Sequence, residues 1–152
     1  MGKTYALTGN DTFTINKRVL KDLADQITIN IEFGNSRVGH TTGKNGNTVY
    51  ATDKQGENAT VKLRLVAGSS DDIFLNGLSV QQEKDLPTFS LMTGTFAKRI
   101  GDGNGAVKFI NYNLLGGVFE QFIDTQEQLQ GDTEQGIAVY TLWFAQAERA
   151  IA

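Results

Sequence analysis

Two glycine-rich loops, one histidine and a run of acids are the residues whose types and spacing could do chemistry. Gly101-Asp102-Gly103-Asn104-Gly105 has the composition of a phosphate cradle or a calcium turn. A dinucleotide cradle needs a strand before it and a helix N-terminus after it, so that backbone N–H groups point at the phosphates. Here Ala106-Val107-Lys108-Phe109-Ile110 follows, which is strand sequence. The loop is therefore predicted to be a hairpin connection, with Asp-Gly and Asn-Gly supplying the unusual backbone angles. Asp102 alone is too little carboxylate for a hard cation. Gly39-His40-Thr41-Thr42-Gly43-Lys44-Asn45 approaches a nucleotide-binding loop, but its second Gly and its Lys are misspaced, and Asn45 stands where Ser or Thr is required.

His40 is the only histidine, so one chain cannot build a His-based metal cage or a paired proton shuttle. It is expected at the surface or at an interface. Glu120, Asp124, Glu127, Asp132 and Glu134 cluster without an intervening Lys or Arg. Two of them could form the acid and base of a hydrolase, but that chemistry needs a set separation and a raised pKa. The simpler expectation is a solvated face, and a third reading is an acidic wall that repels another acidic body. Trp143 and Phe144, with Phe119 and Phe122 in the segment before, could line a ligand pocket; on alternating strands such rings are first assigned to packing. With no nucleophile and base converging at recognisable spacing, neither an enzyme nor a cofactor nor a metal is expected.

These residues sit in a chain of 152, which suits one domain over 1–152. The net charge of −3 disfavours gripping nucleic acid by phosphate neutralisation. Cysteine is absent, which excludes disulfides and thiolate chemistry without deciding the redox compartment. The N-terminus runs into polar sequence with no signal-peptide core, no later stretch is long and apolar enough to cross a bilayer, and Met1-Gly2 lacks the context of a myristoylation signal. A soluble chain made in the cytoplasm, without membrane insertion, is the expectation.

Gly at 17 residues and a single Pro, Pro87, are the punctuation of strands and turns. Strands are predicted over 12–15 and 26–33, the latter with Ile27, Ile29, Ile31 and Phe33 inward. Residues 37–42 and 48–52 are predicted to pair across the polar tip 43–47, where Asn45-Gly46 is a strong hairpin signal, with 53–58 a further turn. Residues 59–66 alternate Val61, Leu63 and Leu65 against Lys62 and Arg64. Ser69 or Ser70 can cap a helix over 70–84, with Asp71 and Asp72 at its positive end, a weakening or break at Asn76-Gly77, and Pro87 beyond its end. A hairpin of 88–100 with 106–113 and another strand at 117–125 follow, then a polar stretch at 126–135.

The last strand, 136–145, is apolar at odd and even positions alike, so both of its faces need cover, from the chain itself or from a neighbouring copy. Gln146-Ala147-Glu148-Arg149, a polar exit, is expected to stop its pairing.

The order of these parts resembles that of bacteriophage tail-tube proteins, most similar to those of contractile-tailed phages and related to type VI secretion tube proteins. The resemblance rests on the polar hairpin 39–57, the basic alternating strand 59–65, Gly68-Ser69-Ser70-Asp71-Asp72 opening one helix, Phe119-Glu120-Gln121-Phe122, and the long final strand ending Ala147-Glu148-Arg149-Ala150. It implies a mainly β fold, a β-sandwich or partial barrel with one flanking α-helix and an extended hairpin. Six copies would close into a ring and rings would stack into a hollow tube through which double-stranded DNA passes without specific binding. The implied partners are the chain itself and sheath, baseplate and tape-measure proteins; the implied location is the virion tail, assembled in the bacterial host cytoplasm. On this reading Thr42, Lys44, Asn45, Asn47 and Tyr50 belong to an inter-subunit hairpin. Glu120, Asp124, Asp132 and Glu134 are candidates for an acidic lumen, where a wall that repels phosphate lets DNA slide. The competing expectations are a tube protein of a type VI secretion system or phage-derived bacteriocin, and a small β-barrel that binds a ligand against Trp143 and the Phe residues.

Overall fold

The computed structural model describes residues 6–7, 11–21, 23, 29–34, 36–53, 57–126 and 136–151. Along the chain lie β1 (Ala6–Leu7), β2 (Thr12–Ile15), β3 (Arg18–Val19), β4 (Ile29–Glu32), β5 (Val38–Thr42), β6 (Thr48–Thr52) and β7 (Ala59–Val66). Helix α1 (Ser70–Lys84) and a 3-10 turn (Leu86–Thr88) come next, then β8 (Met92–Gly101), β9 (Val107–Phe119), β10 (Asp124–Gln126) and β11 (Ile137–Ile151). Nine strands form one antiparallel sheet in the order β3-β2-β8-β9-β11-β7-β4, with β1 added to β8 and β10 to β11; β5 and β6 make a separate two-stranded sheet.

Alternation decides which face is buried. In β7, Ala59, Val61, Leu63 and Leu65 are all in the core, and they are joined by Phe13 and Ile15 of β2, Leu114 and Phe119 of β9, and Ala138, Tyr140, Leu142 and Phe144 of β11. Each fully buried large apolar side chain stabilises the fold by about 1.5–3 kcal/mol relative to exposure. A ladder of rings shows how the sheet curls. Phe13 packs on Phe96 at 5.9 Å, Phe96 on Tyr112 at 5.7 Å, and Tyr112 stacks on Phe33 at 6.4 Å. Phe33 follows edge strand β4, which is separated from β9 by β7 and β11, so the ladder closes only if the sheet bends back on itself. The result is a mainly β partial barrel that is not closed by pairing of β3 with β4 among the described residues.

Helix α1 lies over the inner face. Ser69 is its N-cap and accepts from the Asp72 N–H at 3.3 Å, while the Asp72 carboxylate accepts from the Gly68 N–H at 2.8 Å. The break expected at Asn76-Gly77 does not occur. Gly77 faces outward on an unbroken helix, and its cost of about 1 kcal/mol is outweighed by packing on the opposite side, where Leu75 is buried and Phe74 and Leu78 are partly so.

Three strand expectations are also corrected. The strand predicted from residue 88 begins at Met92, because Pro87 holds Leu86–Thr88 in a 3-10 turn. The strands predicted at 106–113 and 117–125 are one strand, β9, running through Gly116 to Phe119, with only the short β10 beyond it. Gly116 has φ +69°, and the buried side passes from Leu114 to Gly117 across it. Finally, Gln146 does not end β11: Gln146 through Ile151 pair with Leu115 through Ile110 of β9. Their polar side chains signal exposure, whereas pairing is a backbone property. Position 27, the turn residues 54–56 and the stretch 127–135 lie outside the described residues.

Candidate functional site

Three polar contacts pin α1 against the sheet and fix what the surface can present. Asp71, 1% exposed, accepts from Arg18 Nε at 3.1 Å and from the Lys21 N–H. The Tyr140 hydroxyl donates to an Asp72 carboxylate oxygen and lies 3.1 Å from the Asp72 carbonyl oxygen. Burial pushes the Tyr140 phenol well above its ordinary range, and the hydrogen bond to Asp72 and that carboxylate's charge push it further. Gln82 closes the helix's other end by donating to the Phe119 carbonyl at 2.9 Å and accepting from the Phe119 N–H at 2.8 Å. Asp71 and Asp72, legible in the sequence as helix-dipole acids, are thus also the groups that tie helix to sheet.

The glycine-rich loop at 101–105 is a hairpin turn, as its strand context predicts. Asp102 Oδ1 accepts from the N–H groups of Asn104 at 2.7 Å and Ala106 at 3.2 Å, and Gly103 and Gly105 take φ of +85° and +91°. Its carboxylate is engaged in shaping the turn. His40 is exposed on β5, opposite Tyr50. Glu120 is exposed just after β9, its N–H bonded to the Thr141 carbonyl at 3.0 Å, and Asp124 is exposed opposite Val139. Both therefore stand beside the N-terminal part of β11. Glu127, Asp132 and Glu134 lie outside the described residues.

The aromatic residues divide between core and surface. Phe119 and Phe144 are in the core, Trp143 is half-buried on the opposite face of β11, and Phe122 is 84% exposed. On that opposite face Thr141 is buried while Ile137 and Val139 are half-buried, so the chain covers it only in part. An open recess of about 660 Å³ lies near the hairpin base, bordered by Arg37, Glu57, Thr95, Asn113 and Glu148 among others, and no Trp or Phe lines it.

Among the described residues, the hairpin β5–β6 pairs with no strand of the main sheet. Thr42 and Thr48 close its end with their hydroxyls 2.9 Å apart, Gly43 and Asn47 are joined at 2.9 Å, and Gly46 takes φ +82° at the tip that carries Lys44 and Asn45. All ten strand residues are exposed, Val49 at 67% and Tyr50 at 72%. An isolated two-stranded sheet is marginal in water, so a surface of this kind calls for cover from outside. At its base Arg37 sits over the Phe33 ring at 5.4 Å, and beyond the Phe33–Tyr112 stack Arg149 lies over Tyr112 at 5.7 Å and donates to its hydroxyl at 2.9 Å. That Arg–Phe–Tyr–Arg stack was not legible in the sequence, where its four members are scattered from position 33 to position 149.

The described surface thus presents exposed apolar and polar residues on a curled sheet. The chain has the fold seen in tube and cap components of contractile injection systems. It superposes on a chain of the sheath–tube complex of PVC, an extracellular contractile injection system, with a TM-score of 0.63 at 8% identity, covering 93% of this chain and 88% of that chain. The PVC sheath/tube terminator gives 0.62 at 10% identity, over 97% of this chain and 98% of that one. The tube-terminating cap of the anti-feeding prophage gives 0.61 at 9%, over 100% and 95%. No protein-family model matches the sequence, and no curated protein matches it either.

Proposed function

We propose that this chain is a structural subunit of a tail-type tube: copies close into hexameric rings, and the rings stack into a hollow conduit. The observation that carries the reading is the free hairpin β5–β6, exposed along both strands on a body whose fold is that of injection-system tube and cap chains. Ordering such a hairpin against a neighbour would give it the cover it lacks and remove an edge on which chains could aggregate. In a phage tail the conduit would pass double-stranded DNA; Glu120, Asp124, Asp132 and Glu134 would then make its wall repel phosphate. Thr42, Lys44, Asn45, Asn47 and Tyr50 would make the contact between subunits, and sheath, baseplate and tape-measure proteins would complete the particle, assembled in the host cytoplasm.

A second reading, the tube of an injection device that carries protein rather than DNA, is favoured by the identity of the structural neighbours, which come from injection systems. Concentrating the purified chain and imaging it by negative-stain electron microscopy tests both. Stacked rings or hollow tubes are the expected result, and dispersed monomers at every concentration would overturn the tube reading. Neighbouring genes for portal, terminase and capsid would separate a phage tail from an injection device.

A further inference from the structure

We infer that Asn104, in the turn between β8 and β9, is a site of spontaneous covalent modification to aspartate and isoaspartate, and that the fold shields the two other Asn-Gly pairs of the chain. The reaction needs no partner, so it holds whether or not the chain builds a tube.

An asparagine followed by glycine can cyclise. The backbone nitrogen of the glycine attacks the side-chain Cγ and gives up its proton; an N–Cγ bond forms, the Cγ–Nδ2 bond breaks, and Nδ2 leaves as ammonia. Water then opens the five-membered imide at either carbonyl, giving aspartate, or isoaspartate when the main-chain carbonyl is attacked. Water is the sole co-reactant, and nothing is oxidised or reduced. Glycine has no Cβ to hinder the approach, but its N–H must be released from any hydrogen bond before it can react. Three sequences qualify, Asn45-Gly46, Asn76-Gly77 and Asn104-Gly105.

The fold treats the three differently. Gly77 lies inside α1, where each N–H is donated to the carbonyl four residues earlier, so cyclisation at Asn76 requires unwinding the helix. At the hairpin tip the Gly46 N–H donates to the Gly43 carbonyl at 3.0 Å. The Gly105 N–H has no acceptor among the described residues, although the N–H groups on either side of it, those of Asn104 and Ala106, converge on Asp102 Oδ1 at 2.7 and 3.2 Å. The Asn104 side-chain amide is bonded to none of the described residues either, which leaves it free to rotate onto that nitrogen. Exposure does not separate the two loop sites, because Asn45, Gly46, Asn104 and Gly105 are all exposed and a Cβ on either glycine would meet nothing within 4 Å. The hydrogen bond separates them. Asp102-Gly103 could form the same imide, but Asp102 would have to give up its two N–H partners. The products disturb the turn in two ways. Aspartate at 104 sets a second carboxylate two residues from Asp102, where like charges repel. Isoaspartate lengthens the main chain between Asp102 and Ala106, across their N–H to carbonyl bond of 3.1 Å and beside the Gly101–Val107 pair that begins the β8–β9 ladder.

The test incubates the purified full chain in mildly alkaline buffer at physiological temperature and follows its peptides by mass spectrometry, which reads each conversion of the amide to a carboxylate as a gain of about 1 Da. Asn104 should convert first, at least roughly fivefold faster than Asn45, the rate equivalent of one hydrogen bond, with Asn76 unchanged over the same period. In concentrated urea the three sites should converge to within about twofold, because unfolding removes the helix and the tip hydrogen bond alike. Asn104→Ser should keep the circular dichroism of the wild type and lose the early mass gain. Native conversion of Asn45 equal to or ahead of Asn104, or an Asn104 as inert as Asn76, would overturn the inference. So would a native ranking that survives in urea, since flanking sequence and not the fold would then set it. An early gain that persists in the Asn104→Ser chain would place the reactive residue elsewhere and overturn the assignment.

Discussion

The ring of Phe144 occupies the space that a side chain on residue 117 would need: a Cβ built on Gly117 would lie 2.4 Å from Phe144 Cε1 and 2.7 Å from Cδ1. The two residues are opposite each other on β11 and β9, with Gly94 of β8 also beneath the ring. Glycine at this point lets a large ring lie flat on a sheet that bends.

Gly117→Ala should therefore destabilise the fold by about 1–3 kcal/mol, as overpacking a tight core does. Urea denaturation followed by tryptophan fluorescence checks it. Combining the substitution with Phe144→Leu should cost less than the sum of the two single changes, because each member of the pair relieves the other. Strict additivity would mean that the ring and the glycine do not share this space.

Tyr140 gives the fold an alkaline limit. Its folded-state pKa is raised above the ordinary value of 10.0, by burial first and then by Asp72. Below the unfolded pKa the tyrosine is protonated in both states and its contribution is complete. Above about pH 10 the unfolded chain releases this proton while the native chain keeps it, so stability falls until the folded pKa is passed. Tyr140→Phe should lose about 1–3 kcal/mol at neutral pH, through the orphaned Asp72 acceptor, and show a shallower decline between about pH 9 and 11. Urea midpoints measured across that range for both proteins decide the matter.

At Gly77 the opposite sign is expected. A Cβ there meets nothing within 4 Å, and the residue sits mid-helix on the exposed side. Gly77→Ala should stabilise the monomer by about 0.5–1 kcal/mol in thermal or urea unfolding. A loss of stability would show that the outer helix face is packed in solution.

The hairpin predicts a separation of folding from assembly. Deleting Lys44 to Asn47, or replacing Val49 with Asp, alters only exposed positions and should change monomer stability by no more than about 0.5 kcal/mol. Tubes should fail to form from either chain. Normal tubes from the deletion would remove the hairpin from the interface.

Much of this architecture was legible in the sequence because it is local. Strands β2, β5–β6 at the tip, β7 and helix α1 fall where alternation, Asn45-Gly46, and Ser69 with Asp71 and Asp72 indicate, and the core face of β7 is the one that Val61, Leu63 and Leu65 mark. The hairpin nature of 101–105 followed from its flanking strand sequence in the same way.

Tertiary structure decided what depends on partners distant in sequence. Pairing with Leu115 to Ile110 carries β11 past Gln146 to Ile151, and no signal within 146–151 announces it, since a backbone ladder is indifferent to polar side chains on an exposed face. The positive φ of Gly116 moves the buried side of β9 from one alternation phase to the other, which a pattern search reads as two strands. The same folding brought Arg37 over Phe33 and Arg149 over Tyr112, the two rings of one aromatic stack. The sequence determined the elements and the charges through short-range periodicity. Only the curl of the sheet, a long-range consequence of side-chain packing, determined which surfaces those charges share.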